Sequence, residues 1–313
     1  MSLGIAVERY TPDLQAIWDS IVRSARANHF MFERSYMDYH QARFVDCSWI
    51  VSGNNGPIAV LPASINGNEL VSHGGLTFGG FLSNSEFTQA RAIDALDALL
   101  DSLRPLGVQR LVYKPLPHHY HQSPAEEDLF ALYARGAVLL TREVTTTIPP
   151  GGSPNRSDER RRSLRKFEKS SACITESTDI ASFMELLRSV LVARHGTLPA
   201  HSTEEMELLA SRFPGQIRLF TVARGSQMLA GTLIYETATV AHSQYIAAST
   251  EGREACSLDG LFDFLISEVY RDLWFDFGIS NERNGDLNLG LLRNKEGYGG
   301  RAILHDRYAL QVP

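Results

Sequence analysis

One order of elements occurs twice in this chain, and it limits the fold more than any single motif does. In the first half, "SWIVSG" alternates as a strand and Asn54 to Gly56 gives a hairpin turn signal. "PIAVLPASI" returns, and "NELVSHGGLTFGG" reads as a third strand ending in glycines. An amphipathic helix follows in "SEFTQARAIDALDALLDSLRPLG", with Phe87, Ala90, Ile93, Leu96, Leu99, Leu100 and Leu103 at helical spacing and Ser85 as its N-cap. "VQRLVYKPL" is then a strand. The second half repeats the plan with "IRLFTVA", the turn Arg224 to Gln227, "MLAGTLIYE" and "TVAHSQYIAAS". A loop, the helix "SLDGLFDFLISEVYRDL" and the strand "WFDFGIS" complete it. Helices open each half, "PDLQAIWDSIVRSA" in one and "DIASFMELLRSVLVARHG" in the other. After the latter, Ser202 and Glu205 form a capping box. The Pro/Gly/Ser-rich "TIPPGGSPNRS" marks a boundary near residue 150. The sequence therefore predicts an α/β chain (α+β by some schemes) of two tandem domains, 1–150 and 151–313. Each has a mixed, mostly antiparallel sheet flanked by helices.

Composition excludes several classes. The 313 residues are 43% apolar and 21% charged, enough for a sizeable core. No apolar run reaches the roughly 20 residues that span a bilayer, and no signal pattern opens the chain. Cys47, Cys173 and Cys256 are odd in number and far apart, which suits neither a disulfide framework nor a metal site. A cytoplasmic location is expected on that ground. A net charge of −6 gives no reason to expect DNA as a partner.

The repeated order resembles the GNAT acyltransferase fold. Two copies in tandem look like its Fem-type branch, the peptidoglycan aminoacyltransferases and the related "acetyltransferase 6" group. The residues that carry the resemblance include "SHGGLTFGGF", "YKPLPHHYHQSPAEEDLFALYARGA", "LPAHSTEEMELLASRFP", "AHSQYIAASTEGR" and "FDFGISNERNGDLNLGLLRNKEGYGGR". The resemblance implies an N-acyltransferase that moves an acyl group, in the simplest case acetyl, from acyl-CoA to an amine on a small molecule, an amino sugar or a cell-surface glycan precursor. It implies acetyl-CoA or another acyl-CoA as co-substrate and no metal. The alternatives are a Fem-like aminoacyl transferase using aminoacyl-tRNA and a non-catalytic binding protein that retains the fold. No long charged helical insertion separates the halves, which disfavours a tRNA partner. The chain departs from the family in two places. The loop "EGREACSLDG" lacks the usual Arg/Gln-x-x-Gly-x-Gly/Ala spacing, and Asn294 and Lys295 stand where the family places an acid tyrosine.

On this reading the C-terminal domain holds the acyl donor. Strand Thr239 to Ala248 parts from its neighbour and exposes amides to the thioester carbonyl. His242 is the first candidate base, because imidazole titrates near pH 6.5. Glu282 is the second, and Tyr245 a proton donor or pocket residue. His242 and Tyr245 each have a bland alternative, a histidine packed on a sheet face and a core phenol, and Glu282 is read as acting through water. Gln244, Ile246, Gly252, Arg253, Ser257 and Asn288 are the candidate cofactor contacts. Arg253 supplies charge for a diphosphate and Gly252 a positive φ at a helix N-terminus. Asp259, in the first turn, reads as a cap. The basic run Arg161, Arg162, Arg165 and Lys166 reads as a solvated face or as a contact for a nucleotide-sugar diphosphate. Lys114, His121, His195 and His201 are candidate acceptor contacts on the N-terminal strand end and the helix–helix loop. His118, His119 and His121 suggest a metal, but neighbouring loop histidines diverge and no close Asp or Cys completes a set.

Overall fold

The computed structural model describes residues 4–151, 155–282 and 284–313; the side chain of His195 lies outside the described residues. The chain divides into two compact units, Met1–Glu143 with Leu304–Pro313, and Val144–Ile303.

The elements of the first unit are β1 (Ala6–Arg9), α1 (Gln15–Ser24), α2 (Arg34–Met37), β2 (Val45–Asp46), β3 (Trp49–Gly53), β4 (Gly56–Leu61), β5 (Ser64–Asn66), β6 (Glu69–Val71), β7 (Leu82–Ser83), α3 (Gln89–Leu103), β8 (Arg110–Tyr113), α4 (Glu127–Ala134) and the start of β9 (Val138–Ile148). The first hairpin, β3 with β4, pairs as expected, and β1 and β7 flank it in a four-stranded sheet. The expected third strand does not continue that sheet. "PIAVLPASI" breaks after Leu61 into β4 and β5, and β5 turns through Gly67 (φ +59°) onto β6. β6 then pairs in parallel with β8. The glycine run after Val71 is not strand, because glycine gains little from a pleated surface and loses the most entropy there. α3 begins at Gln89 rather than at Ser85 and buries Ala92, Ala95, Leu96, Leu99, Leu100 and Leu103 in the core with Trp49, Leu61, Leu111 and Leu132. At about 25 cal/mol per Å² of apolar area, this stripe is what holds a 15-residue helix that would be marginal alone.

The second unit contains the end of β9, then α5 (Asp158–Glu168), β10 (Cys173–Ser177), α6 (Ile180–His195), α7 (Thr203–Arg212), β11 (Ile217–Arg224), β12 (Gln227–Glu236), β13 (Val240–Ala248), α8 (Thr250–Glu254), α9 (Ser257–Phe264), β14 (Trp274–Ile279), α10 (Leu289–Glu296) and the start of β15 (Arg301–Gln311). β11 to β13 form the antiparallel meander read from the sequence, β10, which the sequence reading did not contain, extends it antiparallel to β11, β14 joins β13 in parallel, and β9 pairs antiparallel with β14. Ser202 and Glu205 form the capping box of α7. The core gathers Phe220, Val222, Ile234, Leu261, Phe262, Leu265, Phe275 and Phe277 between this sheet and α9.

Candidate active site

The site begins where two strands stop pairing. β13 and β14 are in register only at Val240–Trp274, Ala241–Phe275 and His242–Asp276. β13 runs on to Ala248 without its neighbour. Two local features drive the parting. On β13, the pairing with β12 jumps from Leu233–Tyr245 to Ile234–Ser243, so Gln244 is the extra residue of a bulge, which adds twist. On β14, Gly278 takes φ +77°, and the next pairing, Ile279–Thr145, is shifted. The gap opens into a cavity of about 680 Å³, with Ile246 and Ala248 on one wall and Phe277 on the other. That size holds an organic ligand.

One end of the cavity suits an anion. Ser249 caps α8 by accepting from the Gly252 amide at 3.0 Å. Gly252 is helical rather than at positive φ. Its role is close approach, since a Cβ there would lie 2.0 Å from the Leu229 carbonyl oxygen. Cys256 takes the positive φ instead (+56°) and starts α9 with no side-chain cap. The first amides of α9 therefore have no capping oxygen. Ser257 Oγ is fully buried, lacks a hydrogen-bond partner and lines the same cavity. An uncapped helix N-terminus beside an unsatisfied hydroxyl is built to take phosphate or another oxyanion. Arg253 lines this end but donates to the Ala248 carbonyl at 2.8 Å and to Thr250 Oγ1 at 3.0 Å, which ties its guanidinium to its own turn. Asp259 does not cap the helix; it pairs with Arg160 of α5. Arg160 also donates to the Asn294 carbonyl at 3.1 Å and lies 4.2 Å over the Tyr298 ring. Burial pushes the Tyr298 phenol well up, so it stays protonated. Arg160 is the wall cation that the sequence reading missed. Its signal was periodicity: Arg160, Leu164 and Phe167 share one face of α5, while Arg161, Arg162, Arg165 and Lys166 are exposed.

The other end carries proton-transfer groups. His242 Nδ1 lies 2.9 Å from Asp276 Oδ2. Asp276 is fully buried, and its Oδ1 accepts from the Gly278 amide at 2.9 Å and from the Thr145 hydroxyl. The carboxylate accepts the Nδ1 proton, leaving Nε2 as the basic nitrogen. His242 keeps 20% of its side-chain surface exposed. It sits beside the cavity wall rather than on it: a Cβ added to Gly278 would be 3.3 Å from His242 Cε1. Lys295 reaches in from α10. It is 5% exposed, lines the cavity and donates from Nζ to the carbonyls of Gly278 at 2.6 Å and Ile279 at 2.7 Å. Burial lowers its pKa to about 8, with Asp276 acting in the opposite direction. At neutral pH it is an ammonium ready to give up a proton.

The remaining sequence candidates occupy several places. Tyr245 and His201 meet each other, hydroxyl to Nδ1 at 2.6 Å, and tie the loop before α7 to β13. Burial raises the Tyr245 phenol. Glu282 is exposed and accepts from Asn288 Nδ2 at 2.6 Å. Asn288 Oδ1 caps α10 through the Leu291 amide at 2.8 Å, and Asn288 lines the cavity. In the first unit, Lys114 is 5% exposed, and its Nζ donates to the carbonyls of His73 (2.6 Å) and Leu76. Burial lowers its pKa to about 7. His121 Nε2 lies 3.0 Å from the Leu116 carbonyl.

Residues 155–283 match the acetyltransferase (GNAT) domain family. No curated protein sequence matches the chain. Among solved structures, FemX is 13% identical over 96% of each chain, with a TM-score of 0.66. L-PGS from Bacillus licheniformis is 10% identical over 97% of this chain and 92% of that one, with a TM-score of 0.62. A tandem GNAT protein from the clavulanic acid biosynthesis pathway is 10% identical over 99% of each chain, with a TM-score of 0.50. The parted strands, the uncapped helix and the stretch that matches the acetyltransferase (GNAT) domain family all fall in the second unit.

Proposed function

We propose that the second unit transfers an acyl group from acyl-CoA to an amine. The carrying observation is the 680 Å³ cavity between β13 and β14, closed at one end by the α9 N-terminus and flanked at the other by His242–Asp276 and Lys295. The amides of Ser257 to Asp259, with Ser257 Oγ, receive the donor's diphosphate. The gap beyond His242–Asp276 receives its pantetheine arm. The unpaired edge of β13 offers amides to the oxyanion that forms as the amine attacks the thioester carbonyl. His242 Nε2 takes the proton that the attacking nitrogen loses, and Asp276 stabilises the resulting imidazolium. When the C–S bond breaks, Lys295 protonates the departing thiolate. The result is one amide and one free thiol, with both side chains returned to their starting states through solvent. Asn294 and Lys295 stand where the family's acid tyrosine is expected, so Lys295 fills the role of acid. The acceptor is a small or glycan-linked amine, and the first unit is its side of the protein.

A second reading has one observation in its favour. The exposed face of α5 carries Arg161, Arg162, Arg165 and Lys166, which would suit an aminoacyl-tRNA as donor.

Two measurements test the first reading: thermal unfolding of the purified chain with acetyl-CoA and longer acyl-CoAs, and thiol release across a panel of amines. A donor at about 100 times its dissociation constant adds about 2.7 kcal/mol of stability. Absence of any shift with every acyl-CoA, alongside a shift with aminoacyl-tRNA, transfers the conclusion to the second reading.

A further inference from the structure

His73, in the glycine-rich "SHGG" stretch Ser72 to Gly75, lines a second and much smaller cavity, of about 40 Å³, lying wholly within the first unit. Its walls are Arg34, Asp38, His40, Phe44, Asp46 and His73. Arg34, His40 and His73 are each under 5% exposed. The two imidazoles stand nearly perpendicular, 82° apart, with ring centres 5.3 Å from each other. Glycine is required at the turn, because a Cβ on Gly75 would come within 2.5 Å of the Phe44 ring and 2.7 Å of His40 Nε2. His73 itself is held at φ +56°, a conformation that costs a non-glycine residue about 1 kcal/mol. Lys114 fixes the turn by bonding the His73 carbonyl.

Four nitrogens at this cavity have no partner although they are buried: Arg34 Nε, both ring nitrogens of His40, and His73 Nδ1. Such groups are rare, and each calls for an explanation. Their chemistry is mixed. Arg34 Nε is a donor. A neutral His40 offers one donor and one acceptor, and His73 Nδ1 is either, according to tautomer. The charges nearby are already matched. Arg34 pairs with Asp38 at 2.5 Å and Asp46 at 2.8 Å. Burial, with the nearby Arg43, Arg34 and Lys114, keeps both imidazoles neutral. A carboxylate would leave the imidazole lone pairs unsatisfied and add a third anion beside Asp38 and Asp46. A hydroxyl both donates and accepts, carries no charge, and fits a space of one to a few water volumes.

We propose that this pocket binds the hydroxyls of a neutral polyol, of the sugar or glycerol type, with one or two hydroxyls inserted between His40, His73 and Arg34 and with Phe44 against the carbon skeleton. Every residue in the site belongs to the first unit, and none of them lines the donor cavity of the second. The test is nitrogen NMR of the full chain labelled at its histidine rings, titrated with N-acetylglucosamine, glucose and glycerol, with acetate at matched ionic strength as the charged arm. The expected result is a saturable shift of the His40 and His73 resonances with at least one polyol and none with acetate. A sugar-only response assigns a saccharide, and a response to glycerol as well assigns a simple diol. His73→Asn keeps the turn, because asparagine tolerates positive φ, while removing the ring. His40→Gln keeps a donor and an acceptor at a different reach. Each is expected to weaken polyol binding by about tenfold or more, with the melting temperature little changed. No shift with any polyol, a shift with acetate instead, or polyol shifts that persist in the folded His73→Asn and His40→Gln variants would each overturn the proposal.

Discussion

Asp276 and Lys295 are bound to opposite ends of one residue. The Gly278 amide donates to Asp276 Oδ1 at 2.9 Å, and the Gly278 carbonyl accepts from Lys295 Nζ at 2.6 Å. The carboxylate paired with His242 and the ammonium proposed as the acid thus share a single peptide anchor at positive φ (+77°). Any side chain at 278 must adopt a strained conformation while touching the His242 ring, so both groups depend on a glycine there.

Lys295→Met is expected to lower kcat by about 100-fold or more, the usual scale for losing a general acid. Acyl-CoA binding should change little. Because the Lys295 pKa is lowered to about 8, the ammonium is present below that pH and lost above it. The native enzyme should therefore show kcat falling as pH rises through about 8, and the variant should lack that limb. A pH profile of kcat for both proteins checks this.

His242→Ala and Asp276→Asn are expected to reduce kcat/KM for the amine by about 100-fold each, with donor affinity retained. Asp276→Asn leaves the ring in place but removes the charge that holds Nδ1–H and stabilises the imidazolium. If the double variant is no worse than either single one, the two residues act as a unit; multiplied losses would separate them. Steady-state kinetics with donor binding measured in parallel decide it.

Ser257→Ala should act in opposite directions on stability and binding. The hydroxyl is buried without a partner, so its removal is expected to leave the free protein as stable or stabilise it by about 1 kcal/mol. The same change is expected to raise the donor's dissociation constant several-fold. Cys256→Gly relieves the positive φ at the α8–α9 junction and is expected to add up to about 1 kcal/mol. Chemical denaturation with and without acetyl-CoA reads both effects.

Acid should loosen the first unit. His40 is lowered to a pKa of about 4 and His73 to about 3, in each case chiefly by burial. Unfolded histidine titrates near 6.5, so the unfolded chain binds these protons first. Stability is fully present above about pH 6.5 and falls steadily as pH drops toward 4, by about 1–2 kcal/mol per histidine at pH 5. Melting curves from pH 7.5 to 4.5 should show this slope, and His73→Asn should make it shallower.

Much of the second unit was legible because its signals are local. Period-two alternation and the Arg224–Gln227 turn define the meander, Ser202 and Glu205 fix the start of α7, and His242 falls on the strand that parts from β14. The first unit was harder to read. Its third strand stops at Val71 because the glycines that follow serve close approach to Phe44, His40 and the Ser72 carbonyl. Arg160 and Lys295 were missed for a different reason. Arg160 is one of several cations on α5, set apart in sequence only by the face it shares with Leu164 and Phe167, and Lys295 stood out only as the departure at the tyrosine position, its burial being visible in the structure alone. Alternation did hold a clue to Asp276: Phe275 and Phe277 enter the core, which places the aspartate between them on the opposite face of β14.

The first unit is built from two separated stretches of chain. β8 takes its antiparallel neighbour from Tyr308–Gln311, and Leu310 belongs to the same core as Leu99 and Leu111. During synthesis, residues 144–303 emerge before that neighbour exists, so the second unit has the chance to fold first although it is encoded later. The opening half of the polypeptide must wait, with one side of β8 uncovered, until its closing strand leaves the ribosome.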